Sequence, residues 1–238
     1  MLESADLPET KAGARILIVP HAGYAFSGPV AATAYRLLQT QDRPHSLVVV
    51  GPSHFVSFPG LATAGVEGFA TPLGVLPVDA ELTATAEDDA AVSRYGSAHA
   101  HEHSVEVQLP FLQALFDEIP VLALLTGVVD PATVADILWA LMKAEGVVVI
   151  ISSDLSHYLD YDASRSRDAR TARAVVDLQP DKLARDDACG LTGVQAALLL
   201  ARRLGWKCSL LDLRSSGDTA GGHEAVVGYG SFVIGPAR

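Results

Sequence analysis

Eight residues of this chain, His99 to Glu106 in AHAHEHSVEVQLPF, hold three histidines and two glutamates. Imidazoles and carboxylates at that density suit two kinds of chemistry, holding a metal ion and moving protons near neutral pH. Extended backbone would point His99, His101 and His103 to one side and Glu102 to the other. A closed zinc site spaces its ligands differently and needs four of them. A helix starting near His103 or Ser104 instead places Glu106 in a first turn that the helix dipole favours, and turns Val105, Leu109 and Leu112 towards a core. The stretch therefore reads as one wall of a site, with Glu102 and His103 near a rim and His99 and His101 solvated.

The other walls are legible after three apolar runs. ILIVP leads into His21 of PHAGYAFSG, LVVVG into Ser53 and His54 of GPSHF, and VVVIIS into Ser153, Asp154 and His157 of SSDLSHY. In an open α/β sheet the carboxyl ends of parallel strands form one rim, where ligands bind. A single histidine after a strand is ordinarily a hydrogen-bonded loop residue. Three of them, each among glycines or small residues that let backbone come close, point to a shared site. Asp154 suits two roles: it orients a histidine or accepts a proton, or it joins Ser152 and Ser153 in capping the segment that follows. His157 suits a general acid or base.

The elements that must position these residues follow from the same pattern. Uninterrupted apolar runs at 16–20, 47–51, 121–125, 147–152, 209–213 and 226–234 alternate with amphipathic segments at 28–40, 131–146 and 192–205. Runs of this kind predict an α/β fold with a mainly parallel central sheet and helices on both faces. The first helix is expected to begin at Ser27, Gly28 and Pro29, and the last of the three to stop at Gly205. Residues 60–80, rich in glycine and proline, read as loop with room for a small hairpin. No repeat and no linker divides the chain, so 1–238 is expected to form one domain.

Composition removes several classes of function. Hydrophobic residues make up 49% of the chain and charged ones 19%, which fits a packed globular core. A net charge of −11, without a basic run, argues against nucleic acid and anionic membrane surfaces as partners. No apolar run approaches the length needed to cross a bilayer. With no signal-like start and only Cys189 and Cys208, a cytoplasmic location is expected rather than a disulfide scaffold. By residue type alone, both cysteines read as small buried hydrophobes.

Taken in order, PHAGYAFSG, GPSHF, EHSVEVQLPFL, ISSDLSHY, the Ala-Cys-Gly at 188–190, and SSGD with VVGYGSF resemble the Memo family, whose prokaryotic members are called AmmeMemoRadiSam system protein B. The resemblance runs from about residue 16 to the C-terminus. It implies a fold similar to the LigB-like, type III extradiol dioxygenases, which use non-haem Fe(II). It implies metal ligands at His21, His54 and Cys189, with Asp154, His157 and His103 in the same pocket as candidate catalytic residues. Phe26 stands where that family commonly has an aromatic hydroxyl, which bears on pocket polarity. Two imidazoles and one anionic donor with open positions suit Fe(II), and the soft thiolate leaves Zn and Cu as alternatives. The resemblance supports a metal-dependent redox enzyme acting on a small-molecule substrate. Two alternatives stay open: an accessory module that recognises a partner protein, such as a radical-SAM protein, and a metal carrier.

Overall fold

A computed structural model describes residues 1–3, 5, 10 and 12–237. In chain order its elements are β1 (Ile16–Val19), α1 (Tyr24–Gln39), β2 (Ser46–Pro52), β3 (Leu61–Thr63), β4 (Gly68–Thr71), β5 (Gly74–Pro77), α2 (Ala80–Glu87), β6 (Val92–Arg94), α3 (Gly96–His99), α4 (His103–Glu106) and α5 (Leu109–Phe116). They continue with β7 (Val121–Thr126), α6 (Pro131–Leu141), β8 (Val147–Ser152), β9 (His157–Leu159), α7 (Tyr161–Val176), α8 (Leu191–Leu204), β10 (Lys207–Ser215) and β11 (Val226–Gly235).

The class is α/β. The main sheet runs in the order β10-β11-β1-β8-β2-β7-β3-β6, with β9 attached to β11. Its centre, β1-β8-β2-β7, is parallel throughout. These are the strands whose apolar runs are unbroken, because both of their faces are covered. The flanks are antiparallel: β11 pairs with β1 and β10 on one side, and β3 pairs with β7 on the other. The sheet is thus mixed. Two hydrophobic layers lie against its faces. One gathers Ile16, Ile18, Val48, Val50, Val149 and Ile151 against α6 and α8. The other gathers the alternate residues Leu17, Val19, Leu47, Val49 and Ile150 against α1 and α5. Alternation of strand side chains produces this division.

Local differences from the sequence reading have local causes. Helix α1 begins at Tyr24, ahead of Gly28. The early turn is held by the Tyr24 hydroxyl, which donates to the Val107 carbonyl at 3.2 Å, and by an edge contact between the Tyr24 and Phe111 rings. Pro29 then falls one turn inside, where its missing N–H costs a single hydrogen bond. Helix α6 stops at Leu141, short of Gly146. Residues 68–77 do form a small hairpin, β4-β5. Among the described residues no helix is long and apolar enough to cross a membrane.

Candidate metal centre

Strands β1, β8 and β2 lie side by side, so their carboxyl ends share one rim. His21 follows β1 and His54 follows β2, while α4 brings His103 against them from above the rim. The His21 ring lies 5.3 Å from that of His54 and 5.4 Å from that of His103, both edge-on, and the His54 and His103 rings stack at 4.9 Å. One ring nitrogen from each lies within 4.8 Å of the others, so His21, His54 and His103 can hold a metal ion. His21 is buried, whereas the side chains of His54 and His103 are 27% and 47% exposed, which leaves one side of the cluster open.

Hydrogen bonds fix which nitrogen faces the centre. Ser152 Oγ donates its only proton to the Ser104 carbonyl at 2.5 Å, so it accepts from Gln108 Nε2 and from His21 Nδ1, each at 2.9 Å. His21 therefore carries its proton on Nδ1 and keeps the lone pair on Nε2. Glu102 acts on the other two histidines. Its Oε1 lies 2.9 Å from His54 Nδ1 and 3.4 Å from His103 Nδ1, and its Oε2 accepts the His54 backbone N–H at 2.6 Å. A carboxylate behind the ring is the arrangement that fixes the tautomer of a metal-binding histidine. Glu102 also caps α4, accepting the Ser104 N–H at 2.8 Å. Burial alone would push this carboxyl up, but the His54 ring and the backbone N–H groups of His54 and Ser104 outweigh it and hold it at about 2. Burial, then the neighbouring His54 and His103, pushes His21 down to about 3, so its imidazole is neutral.

Cys189 and Asp154 lie against His21. Cys189 lies outside the mutually close set but touches it, with Sγ 3.3 Å from His21 Nε2. Its loop is laced to the end of β8: Cys189 N–H donates to the Asp154 carbonyl at 3.2 Å, and Asp154 N–H points at Sγ at 3.2 Å. Gly190 permits this approach, since a Cβ there would fall 2.6 Å from the Ser152 carbonyl oxygen. Burial, followed by the charge of Asp154, pushes the thiol up to about 12. Without an ion it stays protonated and donates to His21 Nε2. Asp154 is buried and does not cap a helix; its Oδ1 accepts the backbone N–H of His21 at 2.8 Å and of Ala22 at 3.3 Å. Burial raises it to about 6, opposed by those bonds and by His157. His157 begins β9 and is exposed, close enough to couple electrostatically with both Asp154 and His21.

His99 is not solvated: its Nε2 lies 3.0 Å from the Ala62 carbonyl oxygen, half-buried beside β3. His101 is exposed. The sequence reading names Ser104 only as a helix start and Ser152 only as a cap, and it does not single out Gln108; the structure makes all three supports of the histidine cluster. Gln108 had left a signal, since it shares the apolar helical face of Val105, Leu109 and Leu112, where a polar side chain must find partners. It is fully buried and reaches Tyr35, Pro20 and Ser152.

Comparison with known proteins agrees with this architecture. The family model described as Memo-like protein matches residues 1–233. A MEMO1 family protein of Metallosphaera sedula is 34% identical over 227 residues, covering 90% of this chain and 80% of the relative. MEMO1 family proteins of Saccharolobus islandicus and Saccharolobus solfataricus are 33% identical over 89% of this chain and 80% of theirs. Among solved structures, the uncharacterized protein JW3007 from Escherichia coli K12 superposes with a TM-score of 0.58 over 93% of this chain and 100% of that one. At 15% identity that likeness concerns the fold.

Proposed function

The chain belongs to the Memo-like protein family, and we propose that it is a metal-dependent redox protein of the dioxygenase type, acting on a small molecule at the open side of the histidine cluster. The observation that carries this reading is the convergence of the ring nitrogens of His21, His54 and His103 within 4.8 Å, with acceptors behind their opposite nitrogens. The donor set fits a divalent ion: three imidazoles whose ring nitrogens converge, and the Cys189 thiol in contact with one of them. Fe(II) is the first choice, with Zn and Cu as alternatives. His21 and His54 hold the ion together with His103, Cys189 or both. When bound, a redox-active ion with open positions lets oxygen and a substrate meet.

The chain's own residues supply the rest. Glu102 keeps His54 and His103 turned so that their unprotonated nitrogens face inward. Ser152 and Gln108 do the same for His21. Asp154 fixes the backbone of His21 and lies behind the pocket as a buried carboxyl. His157, exposed at the mouth, takes a proton from a substrate hydroxyl, and the Asp154 carboxylate stabilises the resulting imidazolium.

Metal content after anaerobic reconstitution tests the site. Wild type should hold about one ion per chain, His54→Ala much less, and His157→Ala as much as wild type. Oxygen uptake with Fe(II) and a panel of catechols and simpler phenols tests the chemistry, and His157→Ala should abolish it. Failure of wild type to retain Fe(II), Zn or Cu refutes the metal reading. Retention of iron with no oxygen uptake refutes the dioxygenase reading alone.

A further inference from the structure

A second cleft lies along α7 and the turns that follow it, Pro180–Lys182 and Arg185–Asp187. It encloses about 500 Å³, the size of a small-ligand site. Four cations line it, Arg167, Arg170, Arg173 and Lys182, against two carboxylates, Asp177 and Asp187. This local excess of positive charge occurs in a chain whose net charge is −11. None of its residues belongs to the histidine cluster.

The cations in the cleft are poorly engaged. Arg167 Nε stands 4.0 Å from Asp187 Oδ1 while its Nη1 donates to the Asp186 carbonyl at 3.4 Å, and Arg173 Nε stands 3.7 Å from Asp177 Oδ2. Arg170 donates to the hydroxyl and carbonyl of Ser166 at 3.2 and 3.3 Å and, among the described residues, has no carboxylate partner. Among the described residues Lys182 has no carboxylate within 4.0 Å, its neighbour Asp181 being turned towards Arg202 at 3.7 Å. Some guanidinium groups elsewhere on the surface are closely matched, as in Arg94–Glu87 at 2.9 Å, Arg203–Asp136 at 2.6 Å and Arg214–Asp212 at 2.7 Å. Arg167, Arg170 and Arg173 follow one another at three-residue steps on one flank of α7, a spacing at which like charges repel. Three guanidinium forks and an ammonium facing one hollow match the oxygens of phosphate groups, which bind through paired, charge-assisted hydrogen bonds.

We propose that this cleft binds a soluble phosphorylated small molecule carrying at least two negative charges. A long polyanion fits less well, because it would run from the cleft onto a surface dominated by carboxylates.

Titration calorimetry with inorganic pyrophosphate, on the full chain at about 150 mM salt, tests the assignment. Saturable, sub-millimolar binding is expected. The double substitution Arg170→Gln, Lys182→Gln should weaken it by at least about ten-fold. It should also leave the ligand-free melting temperature at or above that of wild type, since it relieves repulsion. Lys143→Gln, outside the cleft, should bind as wild type does. Absence of saturable binding overturns the proposal, and so does equal binding by the double variant, which would place the probe on metal or elsewhere. Wild-type protein that sediments with phosphatidic acid vesicles, and not the double variant, would overturn the assignment of a soluble ligand in favour of a lipid headgroup.

Discussion

Replacing Glu102 by glutamine changes one oxygen for one NH2 group and should disable the metal centre without opening a cavity. The carboxylate accepts from three donors, the backbone N–H of His54 on Oε2 and, on Oε1, the Ser104 N–H and the Nδ1–H of His54, and its Oε1 also lies 3.4 Å from His103 Nδ1. A glutamine has one acceptor oxygen. Placed at the Oε1 position, it turns its NH2 against the His54 backbone N–H. Placed at the other, it turns NH2 against the His54 ring, which must then move its proton to Nε2 and withdraw the lone pair from the centre. The side chain is 1% exposed, so water cannot take the lost place. One unsatisfied donor costs roughly 1–3 kcal/mol of stability. Loss of the carboxylate behind two ligand rings should weaken metal binding about 10- to 100-fold, or about 1.4–2.8 kcal/mol. Titration of metal-free protein with Co(II), followed by visible absorption, measures the affinity, and urea unfolding measures the stability. A folded Glu102→Gln variant that binds Co(II) as tightly as wild type would refute the view that this carboxylate presents His54 and His103.

Three other perturbations probe neighbouring parts of the rim. If Cys189 joins the ion as thiolate, its proton, held up at about 12 by burial, must leave; calorimetry in buffers of different ionisation enthalpy at neutral pH should show Cys189→Ser releasing about one proton fewer per ion than wild type. The folded-state pKa of Asp154 is raised, from 3.8 to about 6, so its contribution to stability is greatest below the unfolded value and is lost as pH rises through about 6. Metal-free Asp154→Asn, which keeps the oxygen that accepts from His21, should therefore gain on wild type between about pH 4 and 7, by up to roughly 3 kcal/mol; a pH-independent difference in urea unfolding would contradict this. Gly228 lies over the buried Asp168 so closely that an added Cβ would meet Asp168 Oδ2 at 1.9 Å. Gly228→Ala should cost about 1–3 kcal/mol by overpacking and disturb the loop that carries His157, because Asp168 holds Ser156 through its N–H and hydroxyl, each at 3.1 Å.

What the sequence disclosed and what it withheld divide along physical lines. The four central strands were legible because burial on both faces demands unbroken apolar runs, and their shared direction carried the prediction of a common rim. The antiparallel flank of β3 and β6 was not legible, since each contributes only three residues, too few for a period to register. Helix α7 was hidden for another reason. Its buried side is built from Ser164, Asp168, Thr171, Ala172, Ala174 and Val175, so serine, threonine and a paired aspartate occupy places where larger apolar side chains would have marked an inward face. The site shows the same division at finer scale. His21 and His54 were placed by the strands they follow, because a strand fixes both position and direction. His103 was seen as part of a wall, yet its approach to within 4.8 Å of both depends on α4 being capped by Glu102, the same carboxylate that grips His54. That double use is invisible to a reading that assigns each residue one role. It also explains how five polar residues from His99 to His103 and Ser104 can do different work: His99 bonds to Ala62, His101 meets solvent, Glu102 caps and orients, His103 faces the centre, and Ser104 accepts from Ser152. A chain turn that begins at a buried acid is what converts a histidine-rich run into one wall of a site.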